Sequence, residues 1–287
     1  MNKTIQLPPW IRRRVQPYSL NDMSKFVSDK KLNTVCNSAL CPNRGECFKN
    51  KIATFMILGN NCTRNCRFCF VGKGKPEKLD KDEPKKVAEA ISELGLKYAV
   101  ITSVTRDDLP DGGAKHFADT IESIREVIPS IKIEVLIPDF AGKNASINKV
   151  VSAKPDVISH NLETVVRLYP SLRSSADYQL SLKLLKSIKK NSKIVTKSSL
   201  MLGLGETENE VYEVMDDLRA VDCDIITLGQ YLSPSKKHSP VKQFINPEIF
   251  AKYESIAKDK GFFSVASGPF VRSSYQADKI INSMKTS

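Results

Sequence analysis

Six of the seven cysteines lie in two short groups near the start of the chain. The groups are spaced C-x4-C-x5-C and C-x3-C-x2-C, and their members are Cys36, Cys41 and Cys47, then Cys62, Cys66 and Cys69. The three histidines are all distant in sequence from both groups. An odd number of cysteines without an export signal argues against a disulfide framework, because thiols in a reducing compartment stay reduced. Thiols crowded in this way indicate metal binding.

Two kinds of metal site compete for these thiols. Zinc prefers four ligands in a closed tetrahedral site, usually from paired C-x2-C knuckles, and only Cys66 and Cys69 form such a pair. A [4Fe–4S] cluster has four irons, each of which normally takes one thiolate. A group of three cysteines therefore leaves one iron open to substrate or to an unusual ligand. The spacing favours iron–sulfur clusters, with zinc as the alternative.

The sequence CTRNCRFC, which follows an apolar run at residues 52–58, resembles the cluster motif of the radical S-adenosylmethionine (SAM) enzymes. Further segments resemble the lipoyl synthase family: CNSALCPNRGEC, DDLPDGGA, HNLETV, LMLGLGET, LGQYLSPS and GPFVRSSY. The resemblance covers almost the whole chain, from Pro8 onward. Phe70 and Ser199 depart from the residues common in this family, and neither is an expected ligand.

The resemblance implies a sulfurtransferase (EC 2.8.1.8) that inserts two sulfur atoms at C6 and C8 of a protein-bound octanoyl group to make the lipoyl cofactor. Acid–base side chains cannot break unactivated C–H bonds, so the radical chemistry must come from a cofactor. In the family, a [4Fe–4S] cluster on Cys62, Cys66 and Cys69 binds SAM and passes it one electron. SAM then splits into methionine and a 5′-deoxyadenosyl radical that abstracts hydrogen, so two SAM molecules are used for each lipoyl group.

The resemblance also implies an auxiliary [4Fe–4S] cluster that donates the sulfur and is consumed. Its expected ligands are Cys36, Cys41, Cys47 and a serine oxygen of the Arg-Ser-Ser-Tyr segment. Ser274 is the expected serine and Ser273 the runner-up, although the residues alone favour a helix cap before an amphipathic stretch at 275–284.

Five further residues are expected to contact SAM by the same resemblance. Each also has a plain structural interpretation: a turn for the two glycines, helix capping for the asparagine and glutamate, and a surface position for the arginine. The five residues are Gly112, Gly113, Asn161, Glu163 and Arg173. Cys223 is expected to be a buried apolar thiol.

The expected partners are octanoylated lipoyl carrier proteins, an electron donor such as ferredoxin or flavodoxin, and an iron–sulfur cluster carrier. The carrier protein is either an E2 lipoyl domain or the glycine-cleavage H protein. With 44 Lys and Arg against 32 Asp and Glu, the net charge is +12, which favours acidic partners. Basic residues are spread along the chain without a nucleic-acid-binding motif, so no nucleic acid is expected.

Two other functions fit part of these observations. One is another sulfur-inserting or modifying radical SAM enzyme, such as a biotin-synthase-like or tRNA-thiolating protein. The other is a zinc-dependent nucleic-acid-binding module. Metal content distinguishes them, because two clusters require about eight irons per chain, whereas the module requires one or two zinc ions.

The candidate site residues must be positioned by alternating strands and helices. Apolar, β-branched runs predict strands at residues 52–58, 98–104, 131–137, 156–159, 194–202 and 224–228. Amphipathic segments predict helices at residues 84–94, 113–128, 144–152, 176–190, 206–220 and 247–260. Six βα units predict an α/β fold with a parallel sheet and are too few for an eight-stranded barrel. The resemblance implies a (β/α)6 partial TIM barrel with N-terminal and C-terminal extensions.

The expected domains are an N-terminal extension at 1–50 with the auxiliary cluster motif, the partial barrel at 51–261, and a C-terminal extension at 262–287. The second cysteine group follows the first strand, at the edge of a parallel sheet where loops carry chemistry. No apolar run has the length of a membrane helix, and the N-terminus has no apolar signal core. We therefore expect a cytoplasmic protein with no membrane partner.

Overall fold

The computed structural model describes residues 7–12, 18–49, 52–275 and 277. Within these ranges, seven parallel strands form one open sheet, and their order in the sheet is their order in the chain. The strands are β1 (Thr54–Ile57), β2 (Tyr98–Ser103), β3 (Lys132–Leu136), β4 (Val157–Ser159), β5 (Val195–Leu202), β6 (Ile225–Gln230) and β7 (Ser264–Gly268). A parallel sheet with helical crossovers confirms the predicted α/β class.

Helices precede the sheet and connect its strands. Three precede β1: α1 (Tyr18–Asp29), α2 (Val35–Ser38) and α3 (Arg44–Lys49). The crossovers contain α4 (Glu83–Glu93), α5 (Ala114–Val127), α6 (Asn144–Ser152), α7 (Tyr169–Leu172), α8 (Tyr178–Asn191), α9 (Glu208–Ala220) and α10 (Pro247–Asp259). Local sequence sets their ends: Thr207 and Glu210 form a capping box at α9, and Asn246 caps α10 before a proline in its first turn.

All six predicted strands and all six predicted helices are present, with ends shifted by at most a few residues. The seventh strand was not predicted. Its sequence, SVASG, is short and contains small residues, and the strand is only partly buried. It therefore lacks the apolar, β-branched pattern that identified the others. Its pairing with β6 makes it a strand.

The N-terminal segment packs on the sheet through β1. Thr34 forms an isolated antiparallel bridge with Phe55, and the main-chain N–H of Met56 donates to the carbonyl of Asn33 at 2.8 Å. Met23 and Val27 of α1 join the main hydrophobic core. The division into domains at 1–50, 51–261 and 262–287 stays a prediction, and the amphipathic stretch at 275–284 lies almost wholly outside the described residues.

A buried ion pair joins two strands of the sheet. Lys197 of β5 donates to both carboxylate oxygens of Glu134 on β3, at 2.9 and 3.1 Å, and each side chain is 1% exposed. The hydroxyls of Tyr98 and Ser159 donate to the same carboxylate. The charges are therefore fully paired, which buried charges require. In the part of the chain that is described, no helix has the length and apolar character needed to cross a membrane.

Candidate active site and metal centres

Cys62, Cys66 and Cys69 line one cavity at the carboxyl ends of the first strands. Further side chains that line it come from the cysteine loop itself and from the segments after β3 and β4; those that the site uses are Arg64, Asp139, His160, Asn161, Glu163 and Arg173. Consecutive parallel strands end at the same edge of a sheet, so residues about 100 positions apart meet there. The predicted position of this cysteine group is confirmed.

Arg64 anchors the loop that carries these cysteines. Its guanidinium donates to both carboxylate oxygens of Asp139 at 2.6 Å and to those of Asp107 at 2.8 and 2.9 Å. Burial alone would lower the pKa of Arg64, but these two carboxylates raise it above its usual range. For Asp139 the directions are reversed: burial alone would raise its pKa, but the charge and hydrogen bonds of Arg64 lower it. Both groups are therefore charged, and they join the cysteine loop to the loops after β2 and β3.

Further hydrogen bonds restrict the same loop. The Sγ of Cys62 accepts from the main-chain N–H groups of Arg64 and Thr105, each at 3.4 Å. His238 contacts the carbonyl of Cys69 through Nε2 at 3.2 Å and Ser235 through Nδ1 at 2.8 Å. The loop is thus shaped by neighbouring loops before any metal binds. Sequence analysis missed Arg64 and gave His238 no specific role; the position of Arg64 inside the motif was the one available signal.

Two thiols of the second cysteine group have raised pKa values because they are buried. None of the seven cysteines forms a disulfide. Burial raises the pKa of Cys66, against the opposing charge of Arg173, and raises that of Cys69 to about 12. Iron binds thiolates, so metal loading of these residues must release their protons.

Three unpartnered polar atoms test whether a polar cofactor fits this cavity. His160 Nδ1 lies 2.9 Å from the carbonyl of Ile137, and since a carbonyl only accepts, Nδ1 carries the proton and Nε2 is a bare acceptor. Burial and then the charge of Arg173 lower the pKa of His160 to about 4. His160 Nε2, Asn161 Oδ1 and Arg173 Nε are buried without a hydrogen-bond partner. Such atoms are costly unless a ligand or water pairs with them.

Glu163 and Arg173 add a carboxyl group and a guanidinium group to the same cavity. Glu163 Oε1 accepts from the amide of Asn161 at 3.0 Å, and burial raises the pKa of Glu163. Arg173 Nη1 donates to the carbonyls of Asn161 and Leu162 and to the hydroxyl of Tyr169. Arg173 is therefore not a free surface arginine, and Asn161 and Glu163 lie in a loop rather than at a helix cap. The residues fit a zwitterionic ligand such as SAM beside a three-thiol cluster site.

The two glycines that were expected to contact SAM do not line the cysteine cavity. Gly112 and Gly113 have φ of +63° and +90°, and a Cβ there would meet Phe140 at 2.9 Å and Leu58 at 2.4 Å. Neither is among the described residues that line the cysteine cavity. A left-handed turn packed against these side chains accounts for both glycines, and their contact with SAM stays a prediction.

The first cysteine group is the candidate for a second centre, beside β1. Burial raises the pKa of the Cys36 thiol to about 11, against the opposing effect of the polar groups of Thr54. The main-chain N–H of Cys41 donates to the carbonyl of Cys36 at 3.1 Å, so the two residues are neighbours. The Thr54 hydroxyl donates to the Oγ of Ser274 at 2.9 Å. Ser274 thus lies beside this cysteine group, 220 residues from Thr54 in sequence, and makes the contact that Ser273 does not.

The arrangement of the thiols differs from that of a single-ion site. Among the side chains that the structure describes, no group of three or more His, Cys, Asp or Glu is placed to hold one metal ion. A cubane cluster separates its thiolates more widely, because each thiolate binds a different iron. Both centres have the thiol-rich donor set that such clusters require.

Comparison with known proteins agrees with this geometry. Residues 56–218 match the radical SAM superfamily model. The chain is 57% identical to a lipoyl synthase from Caldanaerobacter subterraneus subsp. tengcongensis, with 96% of this chain and 97% of that protein covered. It is also 57% identical to a lipoyl synthase from Caldicellulosiruptor saccharolyticus, with 95% and 96% covered. The chain belongs to the lipoyl synthase family.

Solved structures support the fold of this lipoyl synthase family member. The crystal structure of HydG, a maturase of the [FeFe]-hydrogenase, superposes with a TM-score of 0.59 at 15% identity, covering 87% of this chain and 67% of HydG. At this identity the likeness concerns the fold alone. Membership of the lipoyl synthase family excludes the zinc-dependent nucleic-acid-binding module that the cysteines alone left open.

Cys223, expected to be a buried apolar thiol, is 0% exposed, which confirms that prediction.

Proposed function

We propose that this chain is a radical SAM sulfurtransferase that inserts two sulfur atoms at C6 and C8 of a protein-bound octanoyl group. One observation carries the proposal beyond family membership. Val35, which directly precedes Cys36, lines the same cavity as Cys62, Cys66 and Cys69. A sulfur source beside Val35 and a radical source on the second cysteine group would therefore border one reaction space. An octanoyl chain in that space could meet both.

The cavity residues divide into those that hold the cluster and those that hold SAM. Cys62, Cys66 and Cys69 supply three thiolates, which leaves one iron for SAM. Together the bound cluster and SAM supply a hydrogen-abstracting radical that no side chain can generate. Arg173 Nε is a free donor suited to a carboxylate, and Asn161 Oδ1 is a free acceptor suited to an ammonium or hydroxyl group. Glu163 adds a second acceptor beside Asn161.

The second centre supplies the sulfur. Cys36, Cys41 and Cys47 provide three thiolates, and Ser274 provides the fourth ligand as an oxygen. Oxygen is a harder ligand than a thiolate and matches iron in a sulfur cluster less well, so Ser274 is the ligand most easily released. A labile ligand suits a cluster that must be dismantled when its sulfur is transferred.

The partners follow from the chemistry and the charge. The partners would be a lipoyl carrier protein that bears the octanoyl group, a protein that donates electrons, and an iron–sulfur cluster carrier. The net charge of +12 favours acidic forms of all three, because complementary charge accelerates encounter.

Two triple variants test the division between the centres. After anaerobic reconstitution, wild-type protein with SAM, reductant and octanoylated carrier should yield lipoyl product by mass. Alanine at Cys62, Cys66 and Cys69 should abolish 5′-deoxyadenosine formation, because neither electron nor SAM site remains. Alanine at Cys36, Cys41 and Cys47 should preserve SAM cleavage and abolish lipoyl formation. Cys223→Ala is the matched control and should retain both activities; identical behaviour of the two triple variants would refute the assignment.

A further inference from the structure

Thr54 is the first residue of β1 and links the two ends of the auxiliary centre. Its side chain is buried, with 5% exposure. Its hydroxyl donates to the Oγ of Ser274 at 2.9 Å, and the next residue, Phe55, bridges Thr34 at the start of the segment that carries the first cysteine group. One threonine therefore lies between the segment that carries the first cysteine group and the serine that we propose as its fourth ligand.

Other contacts bring the C-terminal segment to this place but do not hold the serine itself. The side-chain amide of Asn43 donates to the carbonyl of Phe270 at 2.6 Å. The hydroxyl of Tyr275 donates to the Glu46 carboxylate at 2.9 Å. These bonds lie on either side of Ser274 in sequence, so they dock the segment on α3 and the loop before it. The hydrogen bond from Thr54 is the one that reaches the Ser274 oxygen.

We propose that Thr54 is a positioning residue that holds the Ser274 oxygen at the auxiliary cluster through its hydroxyl. This inference rests on the proposed function, specifically on Ser274 as the fourth ligand. Metal ligands are oriented by hydrogen bonds from residues around them, and losing such a partner typically costs about 10–100-fold in metal affinity or activity. The hydrogen bond from Thr54 gives the Ser274 side chain a defined orientation. Thr54, on a strand of the sheet, is rigidly placed to supply one.

The position of Thr54 on β1 explains why a threonine serves here. β1 pairs with β2 in parallel register, with Thr54 opposite Val100, so its main chain is held by the sheet. A β-branched side chain has few rotamers on a strand, and the hydroxyl is therefore presented in a defined direction. Serine would supply the same hydroxyl with more freedom, and valine would supply the same shape without it.

The test measures retention of the auxiliary cluster. All variants are made in full-length protein carrying alanine at Cys62, Cys66 and Cys69, so that the auxiliary cluster alone is assembled. Iron release to a chelator is followed after anaerobic reconstitution, and Mössbauer spectra report whether one iron differs from the other three. Thr54→Val should release iron about tenfold faster or more and lose the distinct iron. Thr54→Ser should resemble the parent protein.

Matched variants separate the hydroxyl from packing. Thr227 lies on β6 of the same sheet, and its buried hydroxyl has no hydrogen-bond partner. Thr227→Val removes that hydroxyl and should not change iron release. If Thr54→Val folds poorly, comparing Thr54→Ala with Thr54→Ser isolates the hydroxyl, since both lose the methyl group. Slower release from Thr54→Ser than from Thr54→Ala supports the proposal; equal release overturns it, as does a parent-like Thr54→Val.

A double variant shows whether Thr54 acts through Ser274. Ser274→Ala alone should release iron quickly, and adding Thr54→Val should accelerate release no further, because the residue being positioned is gone. Additive effects would overturn the proposal and assign Thr54 to Cys36 instead. In otherwise wild-type protein, cluster assembly without lipoyl product would contradict the proposed function while leaving the iron-release comparison readable.

Discussion

Replacing Arg64 with leucine should destabilise the protein by removing the cation between two carboxylates. The side chain of Arg64 is 9% exposed and that of Asp139 is 1% exposed, whereas that of Asp107 is 38% exposed. In the variant, Asp107 can turn to water. Asp139 cannot, so its negative charge is left buried and without a cation. The cost of the substitution is therefore concentrated at Asp139.

Two arguments give the size of this cost. Breaking a buried ion pair by removing one partner costs about 3–5 kcal/mol. Asp139 can instead take up a proton, and moving a carboxyl with an ordinary pKa of 3.8 to its neutral form at pH 7 costs about 4 kcal/mol. The cheaper route sets the loss, so we expect the free energy of unfolding to fall by about 3–4 kcal/mol at pH 7.

The pH dependence identifies the mechanism. In the wild type, the lowered pKa of Asp139 contributes stability that is present above its unfolded-state pKa and lost as the pH falls through the folded-state value. In Arg64→Leu, protonating Asp139 becomes easier by about 1.4 kcal/mol for each pH unit below 7. The difference between the two proteins should therefore shrink as the pH is lowered toward 4.

Urea unfolding of the metal-free proteins measures these differences. Arg64→Leu combined with Asp139→Asn should recover a large part of the loss, because no buried charge remains. Arg64→Lys should fall between wild type and Arg64→Leu, since it keeps the charge and loses the paired hydrogen bonds. Arg167→Leu is the control, because Arg167 pairs with Glu210 at an exposed position, and it should be nearly neutral. A loss for Arg64→Leu below about 1 kcal/mol, or one independent of pH, would refute the reasoning.

Three further predictions test other parts of the molecule. Ser274→Cys should retain the auxiliary cluster longer than wild type against a chelator but form less lipoyl product, because a thiolate is released less easily; undiminished product would contradict a labile serine ligand. Turnover on an acidic octanoyl carrier should fall as salt rises past about 0.15 M, while turnover on a neutral octanoyl-lysine peptide should change little; equal sensitivity would remove the charge argument. Lys197→Met should cost about 3–5 kcal/mol in urea unfolding, and adding Glu134→Gln should restore much of it; no recovery would show that the charge of Glu134 is not the cause.

Local patterns in the sequence were sufficient for the elements and for the cysteine groups. Strand and helix periodicity depends on neighbouring residues, so six strands and six helices could be predicted before any contact was known. The three-cysteine spacings likewise lie within 12 and 8 consecutive residues, and they indicate cluster chemistry without a fold. The strand β7 could not be predicted because its small residues do not form such a pattern, and its pairing with β6 depends on the completed sheet.

Contacts between distant residues could be found in the tertiary structure alone. Arg64 meets Asp139 from 75 positions away, and Thr54 meets Ser274 from 220 positions away. Neither pairing leaves a local signal, because hydrogen-bond partners are chosen by the path of the backbone and not by spacing. The same holds for the packing of Gly112 and Gly113 against Phe140 and Leu58, which their motif did not indicate. Residue types in one sequence specify which chemistry is available, and the order of strands in the sheet decides which of those residues meet.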